Sequence, residues 1–93
     1  METISSIPKE EIPGLRFSLK EVLKTKEEII RRKLDLERAM VLGNLEHIKT
    51  RIVFEAWEGL MAVETTVWAT TDNYVNLKGG VCIPLRSICK VSF

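Results

Sequence analysis

Glu55, Glu64, His47, Cys82 and Cys89 are the side chains of this 93-residue chain whose types could do chemistry. Two carboxylates held together in a pocket can divide into a general acid and a general base. Glu55 and Glu64 fall on neighbouring predicted strands and could be cross-strand neighbours. No His or Lys stands between them, so a solvated face is the expectation. His47, the only histidine, falls at a predicted helix-to-strand junction, where a hydrogen-bonded boundary residue is expected rather than a catalyst. Cys82 and Cys89 have six residues between them and no histidine nearby. They make neither an activated nucleophile nor a ligand set, and read as two reduced core thiols. Gly79-Gly80 leads into a strand, not a helix, so it is a hairpin turn rather than a phosphate cradle. The expectation is a protein that is not an enzyme and holds no cofactor or metal. Trp57, Trp68 and Tyr74 remain as side chains suited to binding. Tryptophans on an outer face would cover the helix or a partner, or stack on bases.

The elements that must position these residues begin with an N-terminal arm, residues 1–16. Pro8 and Pro13 remove donors and fix φ, so neither a helix nor a central strand is expected there, and an extended segment is. Residues 17–93 then form a single helix-plus-barrel domain. Ser18-Leu19-Lys20-Glu21 and Thr25-Lys26-Glu27-Glu28 both have capping-box spacing, with Phe17 as a hydrophobic staple for the first. One long helix and two helices broken near Lys24-Thr25 both fit. The favoured reading is a short first turn and a main helix from about Lys26 to Leu42, stopped by Gly43-Asn44. Ile29, Ile30, Lys33, Leu34, Glu37, Met40 and Val41 recur at a spacing of three or four and predict the core-facing stripe. Leu36 lies off that stripe and is expected to reach a second partner. Trp57 and Trp68 are its companions as candidate interface residues.

Charge is uneven. Leu15 to Leu42 holds eight Lys/Arg and five acids, while Gly43 to Phe93 is balanced. The Arg31-Arg32-Lys33 triplet covers nearly a full helical turn and cannot lie on one face. A solvated helix with Glu27–Arg31 and Glu28–Arg32 pairs accounts for it. A face toward nucleic acid or toward a second subunit is the alternative.

Period-2 alternation takes over after the helix. The first strand runs from about Ile48 to Trp57, with Ile48, Thr50, Ile52, Phe54 and Ala56 on one face. Glu58-Gly59 turns the chain into a second strand, about Met61 to Thr71. Asp72-Asn73 makes a tight turn before a short third strand, Tyr74 to Lys78. Val81, Ile83 and Leu85 form the inner row of a fourth, with Pro84 pointing outward. Leu85-Arg86-Ser87 is a single helical turn, and Ile88 to Phe93 is the fifth strand. Five short strands after one helix bury a core most economically by curling into a small barrel. The fold class is therefore α+β, an N-terminal helix followed by a strongly bent five-stranded antiparallel barrel.

A content of 45% hydrophobic and 29% charged residues fits a globular protein. The net charge of +1 demands no polyanionic partner. No basic stretch followed by an apolar run marks a secretory leader, and no apolar run approaches a membrane span. The expected location is cytoplasmic, with no membrane partner. A chain this short has a thin stability margin, so a homo-oligomer is expected.

At this point the order of elements resembles the Sm-like (LSm/Hfq) small β-barrel family, over about residues 48–91. Asp72-Asn73-Tyr74-Val75-Asn76-Leu77-Lys78 is similar to that family's D-x-h-x-N-l-x segment. Pro84-Leu85-Arg86-Ser87-Ile88-Cys89-Lys90-Val91 is similar to its bend and last strand. The Gly59–Asp72 hairpin is about two residues longer than the family's, Thr65 and Thr66 stand where its second glycine would be, and Arg86-Ser87 replaces an Arg-Gly. The resemblance implies single-stranded RNA as a partner, contacted around a ring pore by Asn73, Tyr74, Asn76 and Arg86. The alternative is an interaction or assembly module that forms homo-oligomers without any nucleic-acid role.

Overall fold

The computed structural model describes residues 4–93. Among them lie one α-helix, α1 (Lys26–Glu46), and seven strands: β1 (Ser5–Ser6), β2 (Thr50–Ala56), β3 (Gly59–Thr65), β4 (Val67–Thr70), β5 (Tyr74–Leu77), β6 (Cys82–Pro84) and β7 (Ile88–Ser92). Two 3-10 segments, Lys9–Gly14 and Leu85–Ser87, complete the elements. The protein is thus α+β. Among the described residues no helix is long and apolar enough to cross a membrane.

The helix starts where Thr25 can cap it. The Glu28 N–H donates to the Thr25 hydroxyl at 3.2 Å, and the Thr25 N–H donates back to the Glu28 carboxylate at 3.2 Å. This capping box satisfies donors that the first turn leaves orphaned, a contribution of about 1 kcal/mol. The earlier candidate box caps nothing. The Ser18 hydroxyl accepts from the Lys20 N–H, and Glu21 turns to Arg32 instead.

The helix face that packs inward is Arg32, Leu36, Ala39 and Gly43. This corrects two expectations. Ile30, Leu34 and Val41 of the predicted stripe are half or more exposed, whereas Leu36, expected at a partner surface, is fully buried in this chain's own core. The reason is steric. A Cβ on Gly43 would lie 2.7 Å from the Val67 carbonyl oxygen and 2.8 Å from the Thr66 methyl. Only the face carrying Ala39 and Gly43 lets the helix approach β4 this closely. Gly43 is therefore a packing residue and not the stop. The helix ends at His47, in the left-handed conformation at φ 56°, whose N–H donates to the Gly43 carbonyl at 3.1 Å.

Arg32 is buried with an anchor at each end. Its guanidinium donates to both Glu21 carboxylate oxygens, at 2.5 and 2.7 Å, and to the Ile88 carbonyl at 3.1 Å. The expected Glu28–Arg32 pair does not form, because Arg32 faces the core and Glu28 caps the helix. The surface pair that does form is Arg31 with Asp35 at 3.5 Å. Desolvation pushes the Glu21 carboxyl upward, but the hydrogen bonds from Arg32 and the Leu23 N–H outweigh it and hold the group below the usual carboxylate range.

The strands form two sheets, ordered β1-β3-β2-β7 and β4-β5-β6. Alternation on β2 places Thr50, Ile52, Phe54 and Ala56 inward, as the pattern predicts. Ile52, Phe54 and Ala56 meet Val63, Val67, Val75, Leu77, Ile83, Ile88 and Leu36 in one core. Fully burying side chains such as Leu36 and Phe54 contributes about 1.5–3 kcal/mol each.

Three differences from the predicted barrel stand out. The second predicted strand is broken at Thr66 into β3 and β4, one in each sheet. The Lys78 N–H donates to the Thr66 carbonyl at 3.0 Å, which replaces the interrupted ladder there. No closed barrel forms, because the Leu85–Ser87 turn carries the chain from the edge of one sheet to the edge of the other, where β7 pairs with β2. Pro84 closes β6 but is buried rather than outward.

The N-terminal arm is not extended throughout. Residues 1–3 lie outside the described residues. Ser5–Ser6 pairs in parallel with Met61–Ala62, and the Ile7 N–H donates to the Ala62 carbonyl at 2.9 Å. Lys9–Gly14 then winds into a 3-10 segment despite Pro13. Its bonds run from Glu11 N–H to Pro8 and from Leu15 N–H to Ile12, so Pro13 is never asked to donate. The segment delivers Ile12 into the core, where it is fully buried.

Candidate nucleic-acid interface

The hairpin between β4 and β5 is closed by Thr71. Its N–H donates to the Tyr74 carbonyl at 2.8 Å, and its hydroxyl accepts from the Tyr74 N–H at 3.1 Å and the Asn73 N–H at 3.3 Å. The Leu85 N–H donates to the Asn73 carbonyl at 2.9 Å. That bond stitches the hairpin to the 3-10 turn, so Asn73, Tyr74 and the backbone of Arg86 share one corner of the second sheet.

The four predicted contact residues are presented unequally. Val75 and Leu77 point into the core, so Tyr74 and Asn76 share the opposite face of β5. Tyr74 is about half exposed and lies opposite Pro84. Asn76 lies opposite Cys82, whose thiol donates to its side-chain oxygen at 2.7 Å. Arg86 is already engaged. Its Nε donates to the Ser18 carbonyl at 2.7 Å, and its own carbonyl accepts from the Val22 N–H at 2.9 Å. Asn73, Tyr74 and Asn76 thus offer a polar and aromatic face, while Arg86 ties the segment before α1 to the sheet.

The residues weighed for catalysis are not brought together. Glu55 lies opposite Leu60 and Glu64 opposite Arg51, so the two carboxylates do not pair across strands. Cys82 and Cys89 form no disulfide. Among the described residues, no three His, Cys, Asp or Glu side chains gather where a metal ion could be held.

Trp57 caps the β2–β3 turn, its backbone N–H donating to the Arg16 carbonyl at 2.8 Å, and its ring is largely exposed. Trp68 has a more specific setting. On β4, Val67 lies opposite Leu77 and Ala69 opposite Asn76, which leaves Trp68 as the extra residue of a bulge. A bulge breaks strict alternation and re-aims its side chain.

Trp68 borders a cavity of about 390 Å³ that sequence reasoning did not assemble. Lys9, His47, Lys49, Lys78 and Glu64 line it with Trp68, and Thr65 and Thr66 complete it. Four separate parts of the chain converge here: the arm, the end of α1, the β3–β4 kink and the end of β5. Lys9 is partly neutralised by Glu10 at 3.0 Å, and its hydrogen bond holds the Glu10 carboxyl below its usual range. Among the described residues neither Lys49 nor Lys78 has an ion-pair partner. The cavity is therefore positively biased and has an aromatic side chain at its border.

Compared with protein-family models, curated proteins and solved structures, the chain matches none of them.

Proposed function

We propose that the protein is a non-enzymatic, small Sm-like barrel module that forms homo-oligomers and binds single-stranded RNA. The observation that carries this reading is the strand path. The chain runs through β2, through β3 and β4 as two halves of one strand bent at Thr66, then through β5 and β6, and back to β2 by way of β7. On this reading those five strands are the barrel, and β1 is an addition from the N-terminal arm. Strands β6 and β7 each pair on one side only. An unpaired edge is a template for a strand from another chain. Pairing β6 of one copy with β7 of the next is heterologous, the kind of contact that makes a ring where the rotation between copies closes. Asn73, Tyr74 and Asn76 would then recur around one rim, with Tyr74 available for stacking.

The test is fluorescence anisotropy with a labelled single-stranded RNA at about 50 and 200 mM salt, paired with light scattering for the mass of the particle. The reading expects a particle larger than one chain, binding that weakens with salt, and a loss of about tenfold or more in Tyr74→Ala. A stable monomer, or no binding at low salt, contradicts it.

One observation favours a second reading. Ile30, Leu34, Val41 and Leu45 form an exposed apolar row along α1, which suits an assembly module without nucleic acid. If Leu34→Glu dissolves the oligomer and the wild type retards no RNA, that reading replaces the first.

A further inference from the structure

We propose that the cavity between the end of α1 and the β3–β4 kink binds a nucleoside phosphate, with the base on Trp68 and the phosphate on Lys49 and Lys78. This site is separate from the Asn73–Tyr74–Asn76 face and needs neither strand-edge assembly nor a ring.

Charge identifies the anionic part of the ligand. Three lysines line the cavity against one carboxylate, Glu64. Lys9 is met by Glu10, which leaves Lys49 and Lys78 as the cations without a partner among the described residues. They come from opposite sides of the kink. Lys49 precedes β2, and Lys78 is held by its backbone bond to Thr66. Two lysines lining one concave site suit a phosphate.

The aromatic part follows from Trp68. A bare inorganic anion would leave its ring uncontacted and half exposed. The bulge that re-aims Trp68 sits next to the kink that forms one side of the cavity. A flat base over the indole would bury both faces of the contact. Glu64 also has a use in this arrangement: a carboxylate accepts hydrogen bonds from sugar hydroxyls, as acidic residues do toward ribose in dinucleotide sites. The volume of about 390 Å³ lies within the range of small-molecule sites, roughly 300–1,000 Å³.

A third observation is conformational. His47, on the cavity wall, is the one non-glycine with positive φ among the described residues. That conformation is the one a helix end commonly takes, and with the bond to the Gly43 carbonyl it makes the capped end of α1 one wall of the cavity.

Free nucleotides and nucleotides within a strand carry the same chemistry, so the experiment uses both. The 93-residue chain, labelled with 15N, is titrated with adenosine monophosphate, uridine monophosphate, inorganic phosphate and a five-nucleotide single-stranded RNA. The proposal expects saturable shifts at the Trp68 indole and at Lys49, Thr66 and Lys78 with a nucleoside phosphate, free or within the strand. Inorganic phosphate is expected to bind at least tenfold more weakly. Trp68→Ala should weaken binding about tenfold or more. Lys78→Glu, at an exposed position that leaves the core intact, should weaken it by a similar factor. Tyr74→Ala should leave the cavity shifts unchanged.

Binding of the monophosphates without the RNA would support this site and sink the RNA-binding module. RNA shifts confined to Tyr74 and Asn76, with a silent cavity, would do the reverse. Inorganic phosphate binding as tightly as the nucleotides, or no saturable shift at the cavity with any of the four, would overturn the proposal.

Discussion

The two ends of α1 are built differently. At the N-terminus Thr25 and Glu28 cap each other's backbone, and two turns further on Arg32 is gripped by Glu21 and by the Ile88 carbonyl. Charge is buried there, but it is matched; only the Arg32 Nε lacks a partner. At the C-terminus a histidine stands in the left-handed conformation and two lysines lie beside a cavity without carboxylate partners. The first end resembles what a short chain does to hold itself together. The second keeps positive charge and an aromatic ring side by side, a combination that contributes little to stability. Near the second end Gly43 brings the helix against the kink at Thr66 and Val67.

That contrast can be broken at three places, from the largest effect to the smallest. Gly43→Val forces a branched side chain against the Val67 carbonyl and Thr66. Overpacking of that kind is expected to cost about 3 kcal/mol, read as a lower urea midpoint. It should also disturb the cavity, since Thr66 lines it.

Glu21→Gln removes the carboxylate that neutralises buried Arg32 and is expected to cost about 2 kcal/mol. The pH dependence follows from the direction of the shift. The folded Glu21 carboxyl titrates below its ordinary value of 4.5, so the unfolded state binds the proton more tightly. Its stabilisation is present above about pH 4.5 and is lost as pH falls through the lower folded value. Urea midpoints between pH 6 and pH 3 should fall less steeply in Glu21→Gln than in the wild type. Equal slopes would mean that Glu21 contributes no such linkage.

His47→Gly works in the opposite direction. Glycine adopts positive φ without a Cβ penalty, so a gain of about 0.5–1 kcal/mol is expected, with an unchanged urea m-value. A loss of stability would show that the imidazole has a structural role.

Much of the fold was legible because its cues are local. Alternation from Thr50 to Ala56, the Asp72-Asn73 and Gly79-Gly80 turns, and the Thr25–Glu28 capping box each sit within a few residues of sequence. The face of the helix was not. Ile30, Leu34 and Val41 are more apolar than Arg32, Ala39 and Gly43, and spacing favours them. The deciding factor is how closely the backbone can approach Val67, which no periodicity reports. Gly43 misled for a related reason, since a glycine near a helix end looks the same whether it stops the helix or lets it pack. The turn before Tyr74 could be read from Asp72-Asn73, whereas the engagement of Arg86 with Ser18, 68 positions away, could not. The cavity was beyond sequence reasoning altogether. Lys9, His47, Lys49, Trp68 and Lys78 share no spacing, and a bulge has no one-letter signature.

The central claim is that the open end of α1 receives a ligand and the capped end does not. Amide and indole spectra of the wild-type protein, recorded with and without a saturating five-nucleotide single-stranded RNA, test it most directly. The account predicts shifts at Trp68, Thr66 and Lys78, accompanied by shifts at Tyr74, while Glu21, Arg32 and Ile88 stay in place. Spectra that change with neither the RNA nor a nucleoside monophosphate, or shifts centred on the Glu21–Arg32 clamp, would contradict it.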